Sequence, residues 1–248
     1  MAERTVTLLL ALIKYSLFGS PLSEDHRGSL TEEALDKLYV LSNKHDLAHL
    51  AGDALYKAHL LPKDSPTAAK FQKAQMVALY RYTRLEQERG MIYRTLGQAK
   101  IPFVPLKGTV IRPMYPQPHL RTSCDIDILV HKEDISRATE ALASDLGYTT
   151  NGIQSSHDIS LFSPSGNHLE LHFSIERMEG KMDRLLSRVW EFCAPVSEDS
   201  YEYHQSPEYF MFHQISHMAT HFLCGGCGVR PFVDLYLLKQ KLVTMMQP

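Results

Sequence analysis

The hydrophobic pattern changes its period twice along this chain, and that change limits the available folds more than any other feature. From Thr5 to about Gly97 apolar residues recur at helical spacing, with breaks around Gly19 to Gly28 and around Pro62 to Pro66. The clearest helix follows Ser65-Pro66, a cap and a first-turn proline. It runs through Phe71, Ala74, Val77, Ala78, Leu85, Ile92 and Leu96, with Arg81, Arg84, Glu86 and Glu88 expected to face water. At Ile101 the period shortens. Phe103 to Leu106 reads as a short strand ending in Lys107-Gly108, and Thr109 to Tyr115 has the length of about two helical turns.

Cys124 to Val130 alternates polar and apolar residues as a strand does. Glu133 to Leu146 is an amphipathic helix closed by Gly147, and Asp158 to Phe162 with His168 to Phe173 flank Pro164-Ser165-Gly166-Asn167 as a hairpin. Beyond Lys181 helical spacing returns over Met182 to Phe192, Pro207 to Phe222 and Pro231 to about Met245. No repeat or low-complexity tract interrupts this plan. The expected fold is α+β, with a small mixed β-sheet core over residues 99–178 between an N-terminal helical region, 1–98, and a C-terminal one, 179–248.

Composition narrows the function classes. Lys and Arg, 26 together, nearly balance Asp and Glu, 28, so no global positive field draws the chain to nucleic acid, and no nucleic-acid partner is expected. Four cysteines in 248 residues are too few for a disulfide framework, which points to a reducing, cytoplasmic setting. The apolar run Val6 to Ile13 ends at Lys14 without a cleavage site and reads as a buried helix face. No stretch is long enough to span a bilayer, so no membrane association is expected.

In Asp125-Ile126-Asp127 one residue separates two carboxylates, which puts both on the same face of a strand. Such a pair serves either as a solvent-facing strand edge or, with substrate phosphates, as a magnesium site. Its mutual repulsion leads to the expectation that Asp127→Asn leaves the fold as stable or more so. Upstream, Lys107-Gly108-Thr109 stands where a strand turns into a helix, a position that suits a phosphate. Downstream, His168, Glu170 and His172 share one strand face opposite Leu169 and Leu171. If that strand pairs beside Asp125 to Val130, Glu170 joins the two aspartates; alternatively His168, Glu170 and His172 hold zinc or iron.

Taken in order, Leu106-Lys107-Gly108, Tyr115-Pro116, Arg121, Asp125 to Val130 and Leu169-Glu170-Leu171-His172 resemble the uncharacterised nucleotidyltransferase family of the polymerase-beta-like superfamily. Lys107-Gly108-Thr109 stands where the wider superfamily carries Gly-Ser or Gly-Gly. The resemblance implies a nucleotidyltransferase core that moves a nucleoside monophosphate from a nucleoside triphosphate to an unknown acceptor, a small molecule or a protein, and releases pyrophosphate. It implies two Mg2+ ions on Asp125, Asp127 and Glu170, with Lys107, Gly108, Thr109, Arg121 and His172 around the nucleotide. A non-catalytic nucleotide- or partner-binding module that retains the core is the alternative.

His213, His217 and His221 recur every fourth residue, and Cys224 and Cys227 follow. His217, His221, Cys224 and Cys227 could supply four zinc ligands, although a helix face ending in a Gly225-Gly226 turn explains the same residues. Arg230 and Asp234, one helical turn apart, fit a surface ion pair. The resemblance gives His217, His221, Arg230 and Asp234 a second role, in reaching base, ribose or acceptor.

Overall fold

The computed structural model of the protein describes residues 2–28, 30–175 and 181–245. They fall into two compact units, Met1–Tyr82 with Tyr115–Thr122 and Gly228–Arg230, and Thr83–Met114 with Ser123–Cys227 and Pro231–Pro248. The expected division between residues 178 and 179 lies outside the described residues.

The first unit is helical: α1 (Ala2–Phe18), α2 (Glu24–Arg27), α3 (Glu32–Lys44), α4 (Ala48–Lys57) and the opening turns of α5 (Pro66–Gln98). Its core of Leu12, Leu35, Leu38, Leu50, Leu55 and Phe71 is made by the apolar faces that the periodicity marks. Capping fixes where helices begin. Thr31 Oγ1 accepts from Ala34 N at 3.2 Å at the start of α3, and Ser65 Oγ accepts from Ala68 N at 2.9 Å at the start of α5. The Glu32 carboxylate then ties the two starts together, accepting from Ser65 Oγ at 2.5 Å and Thr67 N at 2.9 Å.

The second unit contains β1 (Phe103–Pro105), α6 (Lys107–Ile111), β2 (Asp125–Val130), α7 (Ile135–Leu146), β3 (Thr149–Gln154), β4 (Asp158–Phe162) and β5 (His168–His172). After these come α8 (Lys181–Leu186), β6 (Cys193–Pro195), β7 (Tyr203–Gln205), α9 (Pro207–Cys224) and, apart from its first residue, α10 (Arg230–Met245). The five-stranded sheet has the order β1-β2-β5-β4-β3, parallel between β2 and β5 and antiparallel elsewhere, which makes it the small mixed sheet of an α+β fold. Ile126, Ile128, Leu169 and Leu171 face a core shared with Leu85, Ile92 and Leu96 of α5 and Ala138 and Leu142 of α7. The period of two therefore sends the aspartates of β2 to the opposite face. Gly147 ends α7 with φ 69°, and a Cβ added there would lie 3.1 Å from Pro164 Cγ, so this stop needs glycine.

Several expectations are corrected. Glu88 does not face water: it is 5% exposed, accepts from Tyr148 Oη at 2.7 Å and from Asn167 Nδ2 at 2.8 Å, and so pins the residue before β5 to α5. Glu86 is half-buried against Arg89 and Arg112. The helix expected over Met182 to Phe192 is α8 followed by a 3-10 turn, Val189–Phe192, and β6 pairs with β7 beyond it. No helix among the described residues is long and apolar enough to cross a membrane.

Candidate functional site

The site begins with strand register. Parallel pairing sets Asp125 opposite His168, Asp127 opposite Glu170 and Leu129 opposite His172, so residues of the polar faces of β2 and β5 meet. A ligand atom from each of Asp127, Glu170 and His172 lies within 4.8 Å of the others, and the same holds for Asp125, His168 and Glu170. Glu170 belongs to both groups.

A short connection brings in the cation. Leu106 N donates to the Asp127 carbonyl at 3.0 Å, which fixes the end of β1 beside β2. Lys107 then turns back with φ 45°, a left-handed conformation that non-glycine side chains seldom adopt and that holds only where surroundings compensate. The compensation is visible. Lys107 Nζ donates to Asp127 Oδ1 at 2.5 Å and reaches Glu170 Oε2 at 3.5 Å. The turn's left-handed residue is thus Lys107 itself, and its ammonium stands among carboxylates where a metal ion would neutralise the same charge.

His172, 1% exposed, directs Nε2 at Asp127 Oδ1 (3.1 Å) and Glu170 Oε2 (3.3 Å). Its buried Nδ1 has no hydrogen-bond partner among the described residues. Burial opposes the charged form of Asp127, yet the Lys107 charge and the His172 hydrogen bond prevail and hold its carboxyl well below the usual range. Asp125 behaves in the opposite way. Burial, then the like charges of Asp127 and Glu170, push its carboxyl up. Burial disfavours the His172 imidazolium, but hydrogen bonds to Asp127 and Glu170 outweigh it and raise the ring's pKa.

Arg112, which the sequence does not single out, positions this face. It is 3% exposed, with Nη1 on Glu86 Oε1 at 3.2 Å and Nη2 on Ser123 Oγ at 2.5 Å, and Ser123 Oγ donates onward to the Asp125 carbonyl at 3.3 Å. A buried guanidinium thereby anchors the entry to β2.

The other predicted residues lie on the following elements. Gly108 and Thr109 follow Lys107 in α6, whose five residues carry little dipole, so a phosphate grip there rests on the Lys107 charge. Arg121 belongs to the first unit and donates from Nη1 to the Thr122 carbonyl at 3.2 Å. Arg230, in the same unit, pairs with Asp46 Oδ2 at 2.8 Å, a partner that sequence spacing does not reveal. Asp234 is buried. On α9 the Nε2 atoms of His217 and His221 are 3.0 Å apart, while Cys224 and Cys227 are free thiols; among the described residues these four form no ligand cluster.

Residues 31–247 match the model of the uncharacterised nucleotidyltransferase family, which is most of the chain. The chain belongs to that family. A solved structure similar to this nucleotidyltransferase-family chain is that of the antibiotic-resistance factor ANT(2'')-Ia, at 12% identity and a TM-score of 0.44, covering 68% of this chain and 85% of that one. Comparison with curated proteins gives no match.

Proposed function

We propose that this protein is a metal-dependent nucleotidyltransferase that transfers a nucleoside monophosphate from a nucleoside triphosphate to a small-molecule or protein acceptor and releases pyrophosphate. Family membership supports nucleotidyl transfer, and one observation supports the rest: β2 pairs parallel with β5, with Lys107 Nζ against Asp127 and Glu170 and with Asp125 in a ligand group that shares Glu170. Oxygen-rich donors already arranged about a positive charge fit a divalent ion such as Mg2+. Bound there, the ion would supply charge neutralisation for the reacting phosphates and lower the acceptor's pKa.

The chain's own residues supply positioning and electrostatics. Asp127, 4% exposed and ionised, is the fixed anion of the site. Glu170 has a side chain 25% exposed against 6% for Asp127, so it is the carboxylate open to the acceptor and the one suited to take its proton. Attack by the acceptor oxygen forms the bond to the α-phosphorus, the bridge to the β-phosphate breaks, and pyrophosphate leaves with those electrons. Lys107 balances charge on the phosphates as its ammonium moves from the carboxylates toward them. The reading is tested by pyrophosphate release with Mg2+ and each of ATP, GTP, CTP and UTP across a panel of hydroxyl acceptors. Release that needs both an acceptor and a divalent ion is expected; none with any pair would overturn it. The contact of Lys107 with Asp127 also favours a second reading, a binding module whose own lysine replaces the metal, and NTP binding without release would select it.

A further inference from the structure

The two ligand groups on β2 and β5 differ in what already occupies them. In the inner group, Asp127 and Glu170 receive the Lys107 ammonium at 2.5 and 3.5 Å and the His172 imidazole at 3.1 and 3.3 Å. Their facing oxygens are thus already engaged. In the outer group, Asp125, His168 and Glu170 are all half-buried, so an ion can enter, and Asp125 forms no salt bridge among the described residues. Three carboxylates against one ammonium leave this face short of positive charge.

The nitrogen donor of the outer group is also held in place. His168 Nε2 lies 3.1 Å from Ser160 Oγ, and its ring stacks on Phe162 with centroids 4.8 Å apart and planes 14° from parallel. A ring hydrogen-bonded and stacked in this way has little freedom to lose when it takes a ligand. An imidazole with two carboxylates favours a first-row transition ion over Mg2+, which prefers oxygen and keeps its waters.

We propose that Asp125, His168 and Glu170 form an outer site that takes a first-row transition-metal divalent ion without nucleotide, while Lys107 closes the inner group of Asp127, Glu170 and His172. The inference rests on reading these strands as the metal centre of a nucleotidyltransferase. It adds a metal preference, a loading order and a ligand, His168, outside the carboxylate set.

The test is Mn2+ titration of the full chain without nucleotide, following free Mn2+ by electron paramagnetic resonance. Wild type should bind one Mn2+ that Mg2+ at similar concentration does not displace. His168→Asn and His168→Gln should each weaken that binding about tenfold or more, and Lys107→Met should admit a second ion. No Mn2+ bound by wild type, unchanged affinity in both folded His168 variants, or a single ion in Lys107→Met would overturn the proposal. Pyrophosphate release with Mg2+ is measured separately on wild type. Release without nucleotide-free Mn2+ binding removes the outer site and keeps the transfer reading; Mn2+ binding without release from any NTP does the reverse.

Discussion

Replacing Glu88 by alanine should destabilise the protein far more than a surface change would, although its place in a charged stretch of α5 suggests little cost. The carboxylate is 5% exposed and accepts two hydrogen bonds, from Tyr148 Oη at 2.7 Å and Asn167 Nδ2 at 2.8 Å. Hydrogen bonds to a charged acceptor contribute about 1.5–3 kcal/mol each, and the loss strands the buried Tyr148 hydroxyl while Asn167 Nδ2 keeps Ser165 Oγ at 3.1 Å, so the expected loss is about 3 kcal/mol. Glu88→Gln keeps an acceptor for one donor and should cost about 1–2 kcal/mol, and Tyr148→Phe a similar amount. Urea denaturation of the three single variants and of Glu88→Ala with Tyr148→Phe closes a double-mutant cycle. Its coupling should be about 1 kcal/mol or more, because both changes remove one contact. Additive effects, or a Glu88→Ala midpoint within error of wild type, would refute the buried bridge. Asn167 immediately precedes β5, so the same variant should also loosen Mn2+ binding through His168 and Glu170.

Three further outcomes follow from the site and its surroundings. The position of Lys107 reverses the expectation for Asp127: in metal-free buffer Asp127→Asn should lower the urea midpoint, because the half-buried Lys107 ammonium keeps only its 3.5 Å contact with Glu170, while Asp125→Asn should keep or raise it, and the opposite order would count against the charge assignment. Lys107→Ala should weaken triphosphate binding about tenfold to hundredfold, equivalent to about 1.5–3 kcal/mol, and leave nucleoside binding unchanged; calorimetry showing equal triphosphate affinity would remove Lys107 from the phosphate site. In the first unit, burial holds His49 below its ordinary 6.5 despite its hydrogen bond to the Leu120 carbonyl at 2.8 Å. Its contribution to stability is therefore complete above 6.5 and declines as pH falls from there toward the depressed value, because only the unfolded chain takes the proton readily. Urea midpoints at about pH 7.5 and 5.5 should differ less in His49→Gln than in wild type, and equal differences would refute the assignment.

Most of what positions the site was legible because it depends on period and spacing. Asp125-Ile126-Asp127 and His168 to His172 each alternate, and a strand allows that pattern one arrangement: isoleucine and leucine to the core, acid and imidazole to the other face. Other elements carried no such signal. β3 contains Asn151-Gly152, which reads as a turn; in the structure Gly152 takes φ 78° at a register shift between Thr150 and Gln154. β6 ends in Pro195, and β6 and β7 are three residues each, too short for a period to appear. Glu88 was different, since its signal was present. It lies three residues after Leu85 and four before Ile92, on the apolar stripe, where an acid calls for a buried partner. The contacts of Arg112 and the pairing of Lys107 with Asp127 join distant segments, and neither leaves a trace in local sequence.

The strands that carry Asp125, Asp127, His168, Glu170 and His172 are also interior strands of the sheet. β2 is hydrogen-bonded to β1 and β5, and β5 to β2 and β4, so neither has an edge that can fray. Amides of Ile126 to Leu129 and Leu169 to Leu171 should therefore exchange with solvent only when the whole unit opens, among the slowest in the chain. The side chains of the candidate site then have no local route to disorder. Activity that fades on mild warming, well before the cooperative transition, has its origin in the outer helices and turns, and cooling should restore it without the strands ever having separated.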